Sequence, residues 1–378
     1  MKRALSFSLV GAMTLVATSS QAAIGYDSRS MAMGGTGVAS ASYLTAAFYN
    51  PAQLTNYDDS DDVGLLFPSV GLSASDQNDL LNKLDTFQDI DKEYTPGHKD
   101  EWDAALKALD NSTVAVNLNV GMAIAIPNQY LSTALFVQNQ TNVFAQTHID
   151  SRDFGAGFTP VANQMNSTVR GLAGGTLDIG LAMGKAFDVK DHHFSVGITP
   201  KMQTLYMINY GGTPADFEID DFDYDKNGND KSTFNLDLGA SYQATDSITI
   251  ALAGRNLIKQ SIENNLDGDA TYVVEPKFTL GASYDISWLQ LNLDVDLNET
   301  KYFEQIDYST QYVRLGAELN AWDWAQLRAG YAASLTDAGS MLTAGIGLHP
   351  FGAFGIDLAG QYSTDNGYGA SAQLIFTF

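Results

Sequence analysis

The chain contains no cysteine, which excludes a disulfide framework, a thiolate metal site, CxxC redox chemistry and a cysteine nucleophile. Cations are scarce: 20 Lys and Arg stand against 44 Asp and Glu, a net charge of −24 over 378 residues. A nucleic-acid binder needs surplus cations to displace counterions from phosphates, so no nucleic acid is expected as a partner. Proline is sparse at 9 residues, and no segment offers the run of about 20 apolar residues that a membrane-crossing helix requires. What is plentiful is glycine (34), tyrosine (18) and phenylalanine (19), and with 17% charged residues the composition is that of an ordered chain.

The start of the chain reads as a secretory leader over residues 1–23. Lys2 and Arg3 give a basic beginning, Leu5 to Val16 an apolar stretch, and Gln21-Ala22-Ala23 a small-residue cleavage site. An apolar stretch of about a dozen residues is too short to span a hydrocarbon core as a helix, so cleavage is expected rather than anchoring.

From Val114 onward the apolar residues clearly recur every second position, with a weaker run at 63–73, which is the signal of strands with one greasy and one wet face. Leu289, Leu291, Leu293, Val295 and Leu297 alternate with Gln290, Asn292, Asp294, Asp296 and Asn298; Phe278, Leu280, Ala282 and Tyr284 alternate with Lys277, Thr279, Gly281 and Ser283. Fourteen such runs are expected, near 63–73, 114–126, 130–138, 173–187, 193–210, 232–244, 247–257, 274–286, 289–298, 310–320, 324–334, 341–348, 354–363 and 368–378. Most are long enough to cross a bilayer when tilted, which takes about 9 to 11 residues. Short links such as Thr245-Asp246 and Ser287-Trp288 alternate with long ones such as 74–113 and 139–172, as the two sides of an outer-membrane barrel do. The chain stops on an aromatic, Phe378, whose strand shares one face among Tyr368, Ala370, Ala372, Leu374 and Phe376. These features predict an all-β protein, a 14-stranded antiparallel transmembrane β-barrel in the outer membrane. Its surroundings would be outer-membrane lipid and lipopolysaccharide, and the barrel assembly machinery would meet its terminal aromatic strand.

Between the leader and the first strand lies a segment that does not alternate. It contains Ser30-Met-Ala-Met-Gly-Gly-Thr-Gly37 and Ala46-Ala-Phe-Tyr-Asn-Pro-Ala52. On these motifs and the strand count, the sequence resembles the long-chain fatty-acid transporter (FadL-like) superfamily of outer-membrane proteins, and within it the group labelled conjugal transfer protein TraF-like. The resemblance implies a small N-terminal plug, residues 24–60, inside a barrel formed by 61–378, with Arg29, Gly34, Gly35, Gly37, Asn50, Pro51 and Ala52 as plug or gating residues. It also implies a hydrophobic or amphipathic small molecule as cargo. The alternative is a structural, conjugation- or secretion-associated barrel without transport. A monomer is expected.

The wet faces carry charges of both signs: Asp178, Asp237, Arg255, Lys277, Asp294, Asp296, Arg314, Glu318, Arg328 and Asp357. They read either as an ion network filling the lumen or, through Arg255, Lys277, Arg314 or Arg328, as a grip on a substrate carboxylate. Pro200 and Pro276, unable to donate to a ladder, mark a strand end, edge or bulge. Asp223, Asp225 and Asn227, with Gly228 following, match the first half of a calcium loop whose twelfth position is Phe234 instead of Glu, giving a weak Ca²⁺ site or a hydrated loop tip. No other cofactor is expected. Leu80, Leu81 and Leu84, and Trp102, Leu106 and Leu109, have helical spacing within the first long loop and suggest short amphipathic helices that catch cargo or lie over the barrel mouth. The histidines, His98, His148, His192, His193 and His349, show no Ser-His or metal spacing, and an enzyme is not expected.

Overall fold

The computed structural model describes residues 25–378 except 59–60, 77, 155–157, 159–163, 219–220, 267, 307, 323, 337, 351 and 365–366; the expected leader lies outside the described residues. Fourteen antiparallel strands close into one barrel. In chain order they are Gly64–Asp76, Thr113–Ile126, Ser132–His148, Thr168–Val189, His192–Gly212, Gly228–Thr245, Ile248–Arg255, Lys277–Ile286, Leu289–Asp296, Tyr312–Trp322, Ala325–Ser334, Met341–Leu348, Phe354–Ser363 and Gly367–Thr377. Each expected run is found. The first strand closes on the fourteenth, from Gly64 opposite Thr377 to Ser75 opposite Gly367. Phe378 completes the seam, its carbonyl accepting from Asp62 and Val63 and its N–H donating to Val63. No sheet edge is left open along this seam.

The faces are inverted relative to a soluble core. Leu135, Ile179, Leu238, Leu252, Leu280, Leu293, Leu315, Leu327 and Leu358 are exposed on the outside, whereas Asp178, Asp237, Asp294, Asp296, Arg314, Glu318, Arg328 and Asp357 are buried inside. Such a wall is stable only where lipid replaces water against it. Trp288, Trp322 and Trp324 cluster at the short turns, where amphipathic rings favour a membrane interface.

The wall is uneven. The fourth and fifth strands run 22 and 21 residues, while the seventh and ninth run 8 each. Since about 9 to 11 residues cross the hydrocarbon, the long strands must stand well beyond it. At the long-loop end their extensions are covered on both faces. Outside, helices Leu80–Lys92 and Lys99–Ala108 bury Leu80, Leu84, Phe87, Trp102 and Leu106 against Val114, Val116 and Val169. Inside, the small hairpin Gln260–Asn264 with Ala270–Val274 and the loop through Tyr302 and Phe303 pack on Ala115, Phe144, Leu172, Leu205 and Met207.

Prolines sit where the ladder is weakest. Pro68 lies in a register shift between Leu66 and Ser69. Pro200 remains opposite Leu236 in the sixth strand, but the pairing of strands four and five skips Leu181-Ala182 and Thr199-Pro200. Pro276 directly precedes a strand.

Candidate functional site

The N-terminal segment, Gly25 to Asp58, lies within the barrel and is buried along most of its length. Its helix Ser28–Ala32 is capped by Asp27, which accepts from the Ser30 N–H at 3.0 Å. Gly34 and Gly35 have φ of +71° and +84°, a conformation side chains rarely adopt. At Gly34 a Cβ would also stand 2.9 Å from the Leu315 carbonyl of the wall. The N–H groups of Gly37 and Val38 then converge on one oxygen of Asp294, at 2.8 and 3.0 Å. Arg29 fixes the same half of the segment: it reaches Glu318 at 2.8 Å, Gln290 at 2.6 Å and the Ser40 carbonyl at 2.8 Å.

The Asn50-Pro51-Ala52 bend follows from its side chains. Proline disfavours helical geometry at Asn50, which ends helix Ala46–Tyr49 in an extended conformation, φ −149°. Asn50 Oδ1 accepts from the Ala52 N–H at 3.0 Å, and its amide donates to the Val38 carbonyl at 2.8 Å. The bend presses on a row of wall glycines: a Cβ at Gly239 would lie 1.8 Å from Asn50 Oδ1, and one at Gly197 2.3 Å from the Pro51 carbonyl carbon. Phe48 packs edge-on against Phe136 of the wall at 5.8 Å. Tyr49 instead serves the segment itself, accepting from the Tyr26 N–H at 2.6 Å.

All ten lumen charges read from the alternation point inward, and most are paired. Lys201 sits between Asp178 (3.0 Å) and Asp237 (2.9 Å). Arg314 grips Asp296 with two N–H groups, at 2.8 and 2.7 Å, and Lys277 approaches the same carboxylate at 3.2 Å. Arg328 bridges Glu318, at 2.7 Å, to Asp357. Arg255 lies 4.3 Å over the ring of Tyr26 and donates to Gln138. Lys201 was not among the expected charges, although it shares the polar odd-numbered face of Ser195, Gly197, Thr199 and Gln203, which was the signal for it.

Two cavities differ in every respect. One lies in the lumen, about 90 Å³, among Tyr26, Asn119, Arg255, Lys277, Asp294 and Arg314. Among the described residues, Asn119 Oδ1, Asp294 Oδ1 and Arg255 Nε have no hydrogen-bond partner there, so it is a polar space suited to water. An aromatic layer of Phe144, Tyr272, Tyr302, Phe303 and Tyr308 separates it from the outside; burial pushes the Tyr302 phenol up to about 12. The second cavity, about 70 Å³, lies under helix Leu80–Lys92 and is lined only by apolar side chains and glycine, including Leu81, Leu84, Val116, Val143 and Phe217.

The residues of the expected calcium loop lie around a short helix. Asp223 caps helix Tyr224–Asn227 by accepting from the Asp225 N–H at 2.9 Å, and Asn227 donates to the Asp221 carbonyl at 2.8 Å. The histidines are scattered, with His98 on Thr95, His192 on Tyr242 and His193 on Asp188.

The closed fourteen-stranded barrel is shared in fold with solved structures. The chain is similar to the Ralstonia pickettii toluene transporter TbuX (13% identity, TM-score 0.54, covering 94% of this chain and 97% of that one). It is similar also to the P. putida toluene transporter TodX (12%, 0.54, 94% and 99%) and to a Pseudomonas aeruginosa FadL homologue (13%, 0.51, 96% and 99%). No curated protein matches the sequence. The family model described as F plasmid transfer operon, TraF, protein matches residues 47–296, and the chain belongs to that family.

Proposed function

We propose that this protein is an outer-membrane barrel that takes up small hydrophobic molecules passively. The observation that carries the reading is the wholly apolar cavity beneath Leu80–Lys92, on the long-loop side of a strongly acidic chain. Uncompensated apolar space is costly to keep against water, and its natural guest is an apolar molecule. The similarity in fold to toluene transporters and a monoaromatic hydrocarbon channel supports the same class of cargo. On this reading the leader delivers the chain to the periplasm, and residues 24–60 act as a plug. Arg29 and the Asn50-Pro51-Ala52 bend hold that plug in place, while Lys277, Arg314 and Arg328 serve the internal ion network.

The second reading, a barrel that contacts a partner without transport, is favoured by one observation: the amino-terminal segment and paired charges fill the lumen apart from the polar cavity. Uptake of labelled toluene by cells with and without the protein separates the two. Faster uptake with the protein is the result expected of a transporter. Equal uptake, together with unchanged permeability on deletion of residues 24–53, would leave only the partner-binding barrel.

A further inference from the structure

We infer that the apolar cavity lies outside the barrel wall and exchanges an uncharged hydrophobe directly with the bilayer, without passage through the lumen. The inference rests on the transport reading and names the route and ligand class. Side chains alternate between faces along a strand. In the second strand Asn119, Gly121 and Ala123 point into the lumen, Gly121 against Phe48 of the amino-terminal segment, while Ile124 and Ile126 are about half exposed on the outside. The pairing of this strand with the third is unbroken from Thr113 to Ile126, so no bulge reverses the faces. Val114 and Val116 are therefore outward residues, and the helix that covers them is a coat on the outside of the wall rather than a lid over the mouth.

Below the cavity the outward faces of the first and second strands stay apolar down to the lipid belt, while on the third strand Thr141 and Asn139, opposite Leu118 and Val120, are taken up by the Tyr206 hydroxyl. Val116 stands opposite Ala74, Leu118 opposite Leu72 and Val120 opposite Val70, and Val70 is already exposed. The lumenal direction offers the reverse: the aromatic layer, then the polar cavity, then ion pairs. An apolar guest loses favourable surroundings on entering the lumen and keeps them along the outer track. The lining offers no side chain that could pair with a charge, and neighbouring Gln88 is committed to the Pro214 and Phe217 carbonyls. A carboxylate would be stranded there, so the guest is uncharged. At about 70 Å³ the resting cavity is smaller than the roughly 150 Å³ that benzene occupies in an engineered core, and helix Leu80–Lys92 must lift to admit it.

The test uses the full chain, folded into vesicles of phosphatidylethanolamine and phosphatidylglycerol and checked by heat-modifiable mobility, with the uncharged fluorophore N-phenylnaphthylamine as probe. Val116→Trp fills the outer cavity, and Asn119→Trp, three residues along the strand, fills the lumenal one. Val143→Phe and Gln140→Phe repeat the pair on the third strand should either tryptophan block folding. The expected result is that Val116→Trp weakens probe binding by about tenfold or more, equivalent to about 1.4 kcal/mol, while Asn119→Trp leaves it unchanged and dodecanoate does not compete. Loss of binding in Asn119→Trp with retention in Val116→Trp would overturn the route while leaving hydrophobe uptake intact. Displacement by dodecanoate would overturn the uncharged class. Absence of any probe binding to the unaltered protein would remove the transport reading, and this inference with it.

Discussion

The two halves of the amino-terminal segment are held in the same barrel by different forces. Residues 27–40 face strands seven to fourteen and are tied chiefly by directional polar contacts: Arg29 to Glu318, Gly37 and Val38 to Asp294, Gly34 to Thr343, and Ser28 to Gln373. Residues 43–55 face strands one to six and are held by packing of Leu44, Phe48 and Leu54 on Leu66, Ala123, Phe136 and Ala182. Apolar packing supplies most of the favourable free energy but tolerates small slips. Buried ion pairs add little net stability over an apolar pair of the same shape, yet are costly when half removed. The polar half thus fixes where the segment sits, and the apolar half how firmly.

That contrast breaks most severely at Glu318, the carboxylate shared by Arg29 and Arg328. Glu318→Ala leaves two buried guanidiniums facing each other, and a cost of about 3–5 kcal/mol is expected. A drop in the melting temperature of the folded barrel, together with release of the amino terminus to protease, is the outcome to look for; an unchanged melt would show that the pairs are dispensable. Phe48→Ala should cost slightly less, about 3 kcal/mol, because it removes a fully buried ring from the apolar half without stranding a charge. Proteolysis mapping should find cleavage near Tyr43–Thr55 before cleavage near Arg29. Simultaneous release of both halves would mean that they act as one unit.

Asn50→Ala is a smaller change, about 1–2 kcal/mol, since it removes the bonds to Ala52 and Val38 but leaves the proline in place. Barrel assembly should survive, because the wall ladder does not use this side chain, and the bend should become protease-sensitive. Gly239→Ala sharpens the point, as its added methyl collides with Asn50 Oδ1. Combining it with Asn50→Ala should relieve part of the damage in a double-mutant cycle. Strict additivity would show that the two do not meet.

The wall was legible because lipid outside and charge inside impose opposite chemistry on alternate residues, as at Leu289–Asp296. Where both faces are covered by protein the alternation fades, and there the expected boundaries fell short. The third strand continues to His148 instead of ending near 138, because Asn139 and Thr141 on its outer face meet the Tyr206 hydroxyl beneath the coat. The fourth begins at Thr168 for the same reason. The Asn50 bend was legible since it is local, with a side chain bonding two residues on. The partners of Arg29, Arg314 and Arg328 were not: Arg29 reaches across 289 residues to Glu318, and such distances depend on barrel closure that no local pattern encodes. Helical spacing revealed the helices of the first long loop but not which surface they cover. Only the register of Val114 and Val116 decides that.

Asp27 provides the mildest test, and one that should move chiefly the polar half, Tyr49 being its contact with the other. Burial pushes its carboxyl above the usual carboxylate value, opposed by the Ser30 N–H, by a hydrogen bond with the Tyr49 side chain and by the nearby Arg29, with Asp357 adding to the rise. A carboxyl whose pKa is higher when folded than when unfolded favours the folded arrangement below the unfolded value and loses that contribution as pH rises through the folded one. Helix Ser28–Ala32 should therefore sit more tightly under mildly acidic conditions and loosen toward neutrality, within the span bounded below by the ordinary Asp value of about 3.9. Protease protection around Arg29, measured across that range on the folded barrel, should fall with increasing pH while protection around Phe48 stays level. Asp27→Asn, which keeps an oxygen for the Ser30 N–H but cannot ionise, should flatten the first profile and leave the second alone. If both halves of the native segment respond equally to pH, or if the asparagine variant retains the full pH response, the ionisation of Asp27 is not what governs the polar half.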